Sequence, residues 1–263
     1  MSEVDAIRWR DSRQETAGGV RTITLDRPKQ RNALTPNLFR EIKEGILEGW
    51  ADPQTRVVVL RGSPGAFASG GDLKHFMSLL EVSAEQHLLQ FARSYEEPLP
   101  FRTMLECPKP IMSVVDGACM AGGLIMAACS DVVIASERAV FAVPEGRVGL
   151  ADPFCPVLLP RLIGDVRARS MLMSARPIDA ATAGRWGLVT EVVEQAALED
   201  TVAGWVRDLL AVAPTSAAAY KRAANAGIPH MSASLIAESA WSANGREGLQ
   251  AFLAKRAPNW IQG

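Results

Sequence analysis

The chain has 263 residues, with 28 Lys and Arg against 29 Asp and Glu, a formal net charge of −1, and 48% hydrophobic residues. That length suits one large domain with room for a small appendage, and a core that needs neither disulfide nor metal for stability. The near-neutral balance argues against nucleic-acid binding by counterion release.

Residues 1–13 are charged and lack an apolar signal core. The most apolar stretch, 111–135, is interrupted by Asp116, Gly117, Gly122, Gly123 and Asp131, so neither a signal peptide nor a membrane span is expected. Cys107, Cys119, Cys129 and Cys155 are separated by 12, 10 and 26 positions, which fits no CxxC pair or zinc framework. They are expected to be reduced core thiols of a cytoplasmic protein.

In chain order, Thr22-Ile23-Thr24-Leu25 alternates like a strand and stops at Arg27-Pro28. Thr35-Pro36 is an N-cap followed by a proline suited to the first helical position. Leu38, Ile42 and Ile46 then recur at helical spacing, predicting a helix to about Trp50. Val57-Val58-Val59-Leu60 is a short unbroken apolar run, the pattern of a strand buried on both faces. A more polar helical stretch over 73–101 leads to a second buried strand at 111–115. An apolar helix ending near Cys129 follows, then a third strand at 132–135. Helices are predicted over 165–175 and 180–186, a last strand over 187–193, and C-terminal helices over 203–212, 215–226 and 235–254. Strands alternating with helices define an α/β core with a helical appendage. The boundary is expected near 195, with 1–195 as core and 196–263 as the appendage.

Two buried strands run into turns of small residues, Ala66-Phe67-Ala68-Ser69-Gly70-Gly71-Asp72 and Gly117 to Gly123. Such turns serve tight reversals and close helix-to-sheet packing. They also let a ligand approach the backbone, and the second opens a helix whose first amides lack intrahelical partners. Two such amides aimed at one point would form an oxyanion hole, where losing one donor typically costs about 3–4 kcal/mol of transition-state stabilisation. Neither turn fits GxGxxG or the Walker pattern, and no G-x-S-x-G nucleophile elbow or metal triad is present.

The ordered segments TITLDRPKQRNAL (22–34), VVVLRGSPGAFASGGDLK (57–74), KPIMSVVDGACMAGG (109–123), FAVPEGRVGL (141–150), LPRLIG (159–164), WGLV (186–189) and EGLQAFLAKRAPNW (247–260) cover nearly the whole chain. Together they resemble the enoyl-CoA hydratase/isomerase (crotonase) superfamily. The resemblance implies a crotonase-like spiral of ββα units with a C-terminal helical trimerisation region, giving a homotrimer or a hexamer built as a dimer of trimers. It implies an acyl-CoA substrate whose thioester oxygen sits between the amides of Ala68 and Gly122. Coenzyme A would enter as part of that substrate, with no permanently bound cofactor, metal, nucleic acid or membrane partner.

A hydratase of this superfamily uses two glutamates. Here Glu145 occupies the second position, but Ile125 stands at the first, and an aliphatic side chain can neither accept a proton nor orient water. GACMAGG, with Pro153-Phe154 eight and nine residues after Glu145, resembles the single-glutamate 3,2-enoyl-CoA isomerases. Glu145 would then move a proton from C2 to C4 of a 3-enoyl thioester, and Ile125, Val143 and Phe154 would raise its pKa.

Asp152 competes. By resemblance it sits near the aspartates of hydrolase- or dehalogenase-like relatives and could act as a nucleophile in a hydratase-like or hydrolase-like alternative; as a residue before Pro153 it could equally cap a helix. Non-enzymatic RNA or acyl-CoA binding ranks last. The resemblance also implies coenzyme A contacts from Lys29 and Arg31 beside Asn32-Ala33-Leu34, from the backbone of Asp72 and Leu73, and from Phe252 and Lys255 toward a neighbouring subunit's ligand. His75 is a surface histidine or a lining residue of that channel.

Overall fold

The computed structural model describes residues 9–80, 97–231 and 234–261. Its frame is a six-stranded sheet in the order β1-β2-β3-β5-β7-β10, formed by Ser12–Ala17 (β1), Val20–Leu25 (β2), Val57–Gly62 (β3), Ile111–Val115 (β5), Val132–Ser136 (β7) and Glu191–Val193 (β10). β1 and β2 form an antiparallel hairpin across Gly18-Gly19, and every later pairing in this sheet is parallel. A smaller sheet contains Ala66–Ala68 (β4), Ala118–Met120 (β6), Val140–Ala142 (β8) and Ile178–Asp179 (β9), in that order.

The chain alternates between the two sheets. β3 and β4, β5 and β6, then β7 and β8 each place one strand in the large sheet and the next in the small one, before a helical segment starts the next turn of the spiral. Those segments are Leu73–Leu80 (α2), Gly122–Ala128 (α4), and a 3₁₀ turn at Glu145–Val148 followed by Cys155–Ile163 (α5). Pro36–Ala51 (α1) precedes them, and Phe101–Glu106 (α3) lies between α2 and β5. Asp165–Ser174 (α6) and Ala180–Trp186 (α7) lead to β10; Leu198–Ala211 (α8), Pro214–Asn225 (α9), Ser234–Trp241 (α10) and Ala243–Leu253 (α11) complete the chain.

Burial of both sheet faces explains the unbroken apolar runs. Val58 and Leu60 of β3, with Ile111, Val115, Val133 and Ala135, join the main core under α1, α3 and α4. Their alternates Val57, Val59, Met112, Val114, Val132 and Ile134 pack against Leu198 and Val202 of α8. α1 starts where expected: the Thr35 side chain accepts a bond from the Leu38 amide at 3.1 Å, and Pro36 follows. All four cysteines are buried and free.

Several elements differ from expectation. Within the stretch expected as one helix over 73–101, the described residues show α2 ending at Leu80 and a separate α3 starting at Phe101; residues 81–96 lie outside the described set. The expected 187–193 strand is confined to 191–193, because Gly187 at φ +88° terminates α7. The 235–254 helix is two helices, divided at Ser242, whose side chain accepts from the Gly245 amide at 3.0 Å and starts α11. β1, the small sheet and α5 had no counterpart in the sequence reading.

Candidate active site

The small sheet creates the site. β4, β6 and β8 run parallel, so their C-terminal ends, Ala68, Met120 and Ala142, reach one edge together. From that edge the chain continues into 69–72, into Ala121-Gly122 and into Val143-Pro144-Glu145. A fourth segment is tied on: the Leu34 amide donates to the Gly70 carbonyl at 2.8 Å, the Asp72 amide to Leu34 at 2.9 Å, and the Ser69 amide to Arg31 at 3.1 Å. Buried Asn32 anchors this loop, donating to the Ala66 carbonyl at 2.7 Å and accepting from the Arg27 amide at 2.9 Å and from the Ser63 hydroxyl at 2.9 Å.

Ala121 joins β6 to α4 with φ +53° and ψ −125°, a conformation that costs a non-glycine residue about 1–3 kcal/mol. Its amide donates to Ala142 at 3.1 Å, and its carbonyl accepts from Ile125 at 3.0 Å as the first bond of α4. In a planar trans peptide the C=O and N–H point in opposite directions, so the Gly122 N–H is directed out of the helix's N-terminal end. Gly123 presses on the neighbouring turn: a Cβ there would lie 2.8 Å from the Ala68 Cβ. Ala68 and the start of α4 are therefore packed together.

Above this junction lies a cavity lined by Ser69, Gly70, Gly71, Gly122, Glu145 and Asp152, with a largely apolar remainder that includes Phe39, Leu73, Phe101, Ile125, Phe154 and Phe252. Phe101 packs edge-on against Phe39 and Phe154, with ring centroids 5.8 and 4.8 Å apart. Glu145 opens its 3₁₀ turn, is 9% exposed, and has its Oε2 buried without a hydrogen-bond partner. Burial, and secondarily the nearby Asp152, pushes its carboxyl up from 4.5 to about 8. Of the residues expected to produce that rise, Ile125 and Phe154 line this cavity, while Val143 lines a second one behind Glu145.

Asp152 is also buried, and its two oxygens accept from the amides of Phe154 at 2.8 Å and Cys155 at 3.0 Å, which secures the entry to α5. The capping role weighed for it is thus present, in a side chain that also lines the cavity. The C-terminal helices hold the Glu145 loop in place. The Ala151 amide donates to Ser239 Oγ of α10 at 2.8 Å, and Gly149, at φ +72°, lies so close to α11 that a Cβ would come within 2.7 Å of the Asn244 carbonyl carbon.

Among the other expected residues, Gly122, Leu73 and Phe252 line the cavity. Ala68 is fully buried beneath it, with Ser69, Gly70 and Gly71 forming the wall at that point. Lys29 and Arg31 are exposed, and Ala33 is half-buried on the loop bonded to the 69–72 turn. Asp72 caps the start of α2, accepting from the Lys74 amide at 3.1 Å. Phe252 contributes to the cavity of its own chain, whereas the resemblance implied a neighbour's ligand; Lys255 is exposed just past α11. His75 is half-buried on α2 and is not among the cavity-lining residues; burial lowers its pKa. Phe39, Phe101 and Ile236 were missed as lining residues; for Phe39 the only signal was a helical stripe that reads as ordinary core. Among the described residues no cluster of His, Cys, Asp and Glu is placed to hold a metal, and no helix is long and apolar enough to cross a membrane.

The fold and the cavity define a class: a ββα spiral with a carboxyl-bearing apolar cavity at the edge of its small sheet. Residues 15–263 match the enoyl-CoA hydratase/isomerase family, and the chain belongs to it. It is 35% identical over 257 residues to a Rhodobacter capsulatus protein named "Probable enoyl-CoA hydratase", covering 94% of this chain and 96% of that one. It is 33% identical over 253 residues to the (E)-benzylidenesuccinyl-CoA hydratase of Thauera aromatica, covering 93% and 96%. A solved enoyl-CoA hydratase/isomerase from Pseudoalteromonas atlantica superposes with a TM-score of 0.81 at 28% identity, over 95% of this chain and 99% of that one. The protein is thus an acyl-CoA enzyme of the hydratase/isomerase family with the crotonase fold.

Proposed function

We propose that the enzyme moves the double bond of a 3-enoyl-CoA thioester to the 2-position. The observation that carries this reading is Glu145 Oε2, buried without a hydrogen-bond partner in a cavity where Ile125 stands at the position of a hydratase's other glutamate. In this reading the thioester oxygen is held by the amides of Ala68 and Gly122. As the carboxylate, Glu145 removes the C2 proton; the negative charge spreads over a dienolate, and the same carboxyl returns the proton at C4. A pKa near the working pH suits a group that must act first as base and then as acid. In this reading Lys29, Arg31, Ala33, Asp72 and Leu73 contact the coenzyme's phosphates and adenine, with Phe252 and Lys255 reaching it from the C-terminal side; of these, Leu73 and Phe252 line the cavity.

Hydration is the second reading, favoured by the names of the two relatives. Incubation with matched 2-enoyl and 3-enoyl thioesters in deuterated water, followed by mass spectrometry, separates the two. Isomerisation yields interconverted enoyl products, with label at C2 or C4 to the extent that the proton on Glu145 exchanges with solvent before its return, whereas a 3-hydroxyacyl product as the main species would refute it. We further propose 1–195 as the catalytic core and 196–263 as the region that assembles a homotrimer or a dimer of trimers in the cytoplasm; light scattering that reports a monomer would refute the assembly.

A further inference from the structure

Asp152 lines the same cavity as Glu145, and both also line the second cavity behind it, so the two carboxyls together form part of the partition between the cavities. Their hydrogen bonding is unequal. Asp152 receives the amides of Phe154 and Cys155, while Glu145 Oε2 receives nothing. Burial raises both carboxyls, but the two amide donors favour the charged form of Asp152 against that rise, and an oxygen buried without a donor favours the protonated form of Glu145. A carboxylate whose two oxygens are engaged by main-chain amides at the start of a helix is also poorly free to turn and attack a thioester.

We propose that Asp152 is a positioning residue for Glu145: an anion locked by the start of α5, which holds the proton of the pair on Glu145 and takes no covalent part in the reaction. The proposal rests on the isomerase reading for its kinetic consequence but not for its structural one. The surrounding groups leave Asp152 as the dominant partner. On the substrate side no other charged residue among the described residues lines the cavity. In the second cavity Asp165 and Arg169 of α6 pair with each other at 2.7 Å, and the buried Cys155 thiol is held well above its ordinary value by burial and by the two carboxyls.

The test is Asp152→Asn in the full-length enzyme, with Asp152→Ser as a second variant that also keeps a neutral oxygen able to accept from the α5 amides. Two readouts are needed: the pH profile of kcat/KM for 3-enoyl isomerisation, and the titration of Glu145 in the free enzyme by carbonyl-labelled NMR, assigned with Glu145→Gln. The expected result is that the acidic limb of the kcat/KM profile, where Glu145 must lose its proton to act as the base, and the Glu145 titration itself both move toward acid by about one pH unit, a tenfold change in proton affinity, while turnover at the new optimum falls less than tenfold. An unmoved titration in the folded variants would overturn the proposal. So would loss of turnover at all pH values, together with ¹⁸O from labelled water entering the Asp152 carboxyl during a single turnover of the parent enzyme, which is the signature of a nucleophile. If the parent enzyme fails to isomerise, the isomerase reading fails while the NMR titration still decides the role of Asp152.

Discussion

Replacing Glu145 with Gln removes a titrating group from a site that penalises its charge, so the substitution is expected to stabilise the protein in a pH-dependent way. The folded carboxyl is pushed from 4.5 up to about 8, first by burial and second by Asp152. Between those values the native state holds a proton that the unfolded chain has released. The unfolded state therefore binds fewer protons, and stability falls as pH rises through that window. At 1.36 kcal/mol per pH unit the full window corresponds to roughly 5 kcal/mol as a ceiling, and because the pair shares its repulsion a gain of about 2–4 kcal/mol is expected. Glutamine keeps the shape and has no proton to lose. Urea unfolding of both proteins at intervals from pH 4 to pH 9 should give similar free energies at pH 4 and an advantage for Glu145→Gln that widens from about pH 5 and levels off above about pH 8. By pH 9 its melting temperature should stand roughly 5–10 °C higher. Curves that stay parallel across this range would show that Glu145 is hydrated and would remove the basis for a pKa near neutrality.

Ile125→Glu places a second carboxyl on α4 within the cavity; the product mixture from 2-enoyl thioesters should shift at least tenfold toward 3-hydroxyacyl species by chromatography, at a cost of roughly 2 kcal/mol for the added buried polar group. Gly149→Ala forces φ +72° on an alanine and puts its Cβ 2.9 Å from the Gly245 Cα, so it should cost at least about 2 kcal/mol in denaturant unfolding and expose the α10–α11 segment to limited proteolysis. Lys221, buried on α9, bonds to Asp131 at 2.7 Å and to the Lys109 carbonyl at 3.2 Å, away from the cavity; Lys221→Met should lower stability by about 2–3 kcal/mol, read by thermal unfolding, with isomerisation kinetics unchanged.

How far the fold could be read locally depended on how much of each element's cause lies within its own window. α1 carries its cap, its first-turn proline and its apolar stripe within residues 35–51, and β3, β5 and β7 announce double burial by short runs rich in Val, Ile, Met and Leu. β4, β6 and β8 are three residues each, too short for periodicity to register, and exist because each lies beside a parallel neighbour from another turn of the spiral. β1 was hidden for a different reason: Ser12 to Ala17 is polar and largely exposed, so only its pairing across Gly18-Gly19 with β2 makes it a strand. The break at Ser242 was legible in principle, since a serine three residues before the amide it caps is a helix-start signal.

The site divides along the same line. Gly122 and Gly123 could be picked out because a small-residue turn after a buried strand needs glycine at close approaches, and the structure supplies the reason in Leu34, Phe39 and Ala68, each within 3.1 Å of where a Cβ would stand. Nothing local separates Glu145 from an ordinary loop carboxylate behind a proline. Its special condition is burial, and α10 and α11 contribute to it from about ninety residues further along the chain, through Ile236 and Phe252 in the cavity wall and Asn244 against Gly149. A carboxyl kept protonated by a distant helix pair is a tertiary property. The acid strength of Glu145 and the docking of α11 are therefore coupled, and loosening Gly149 from Asn244 should let water in and lower the Glu145 pKa together with stability. A Gly149→Ala protein that stays folded yet titrates Glu145 near 8 would break that link.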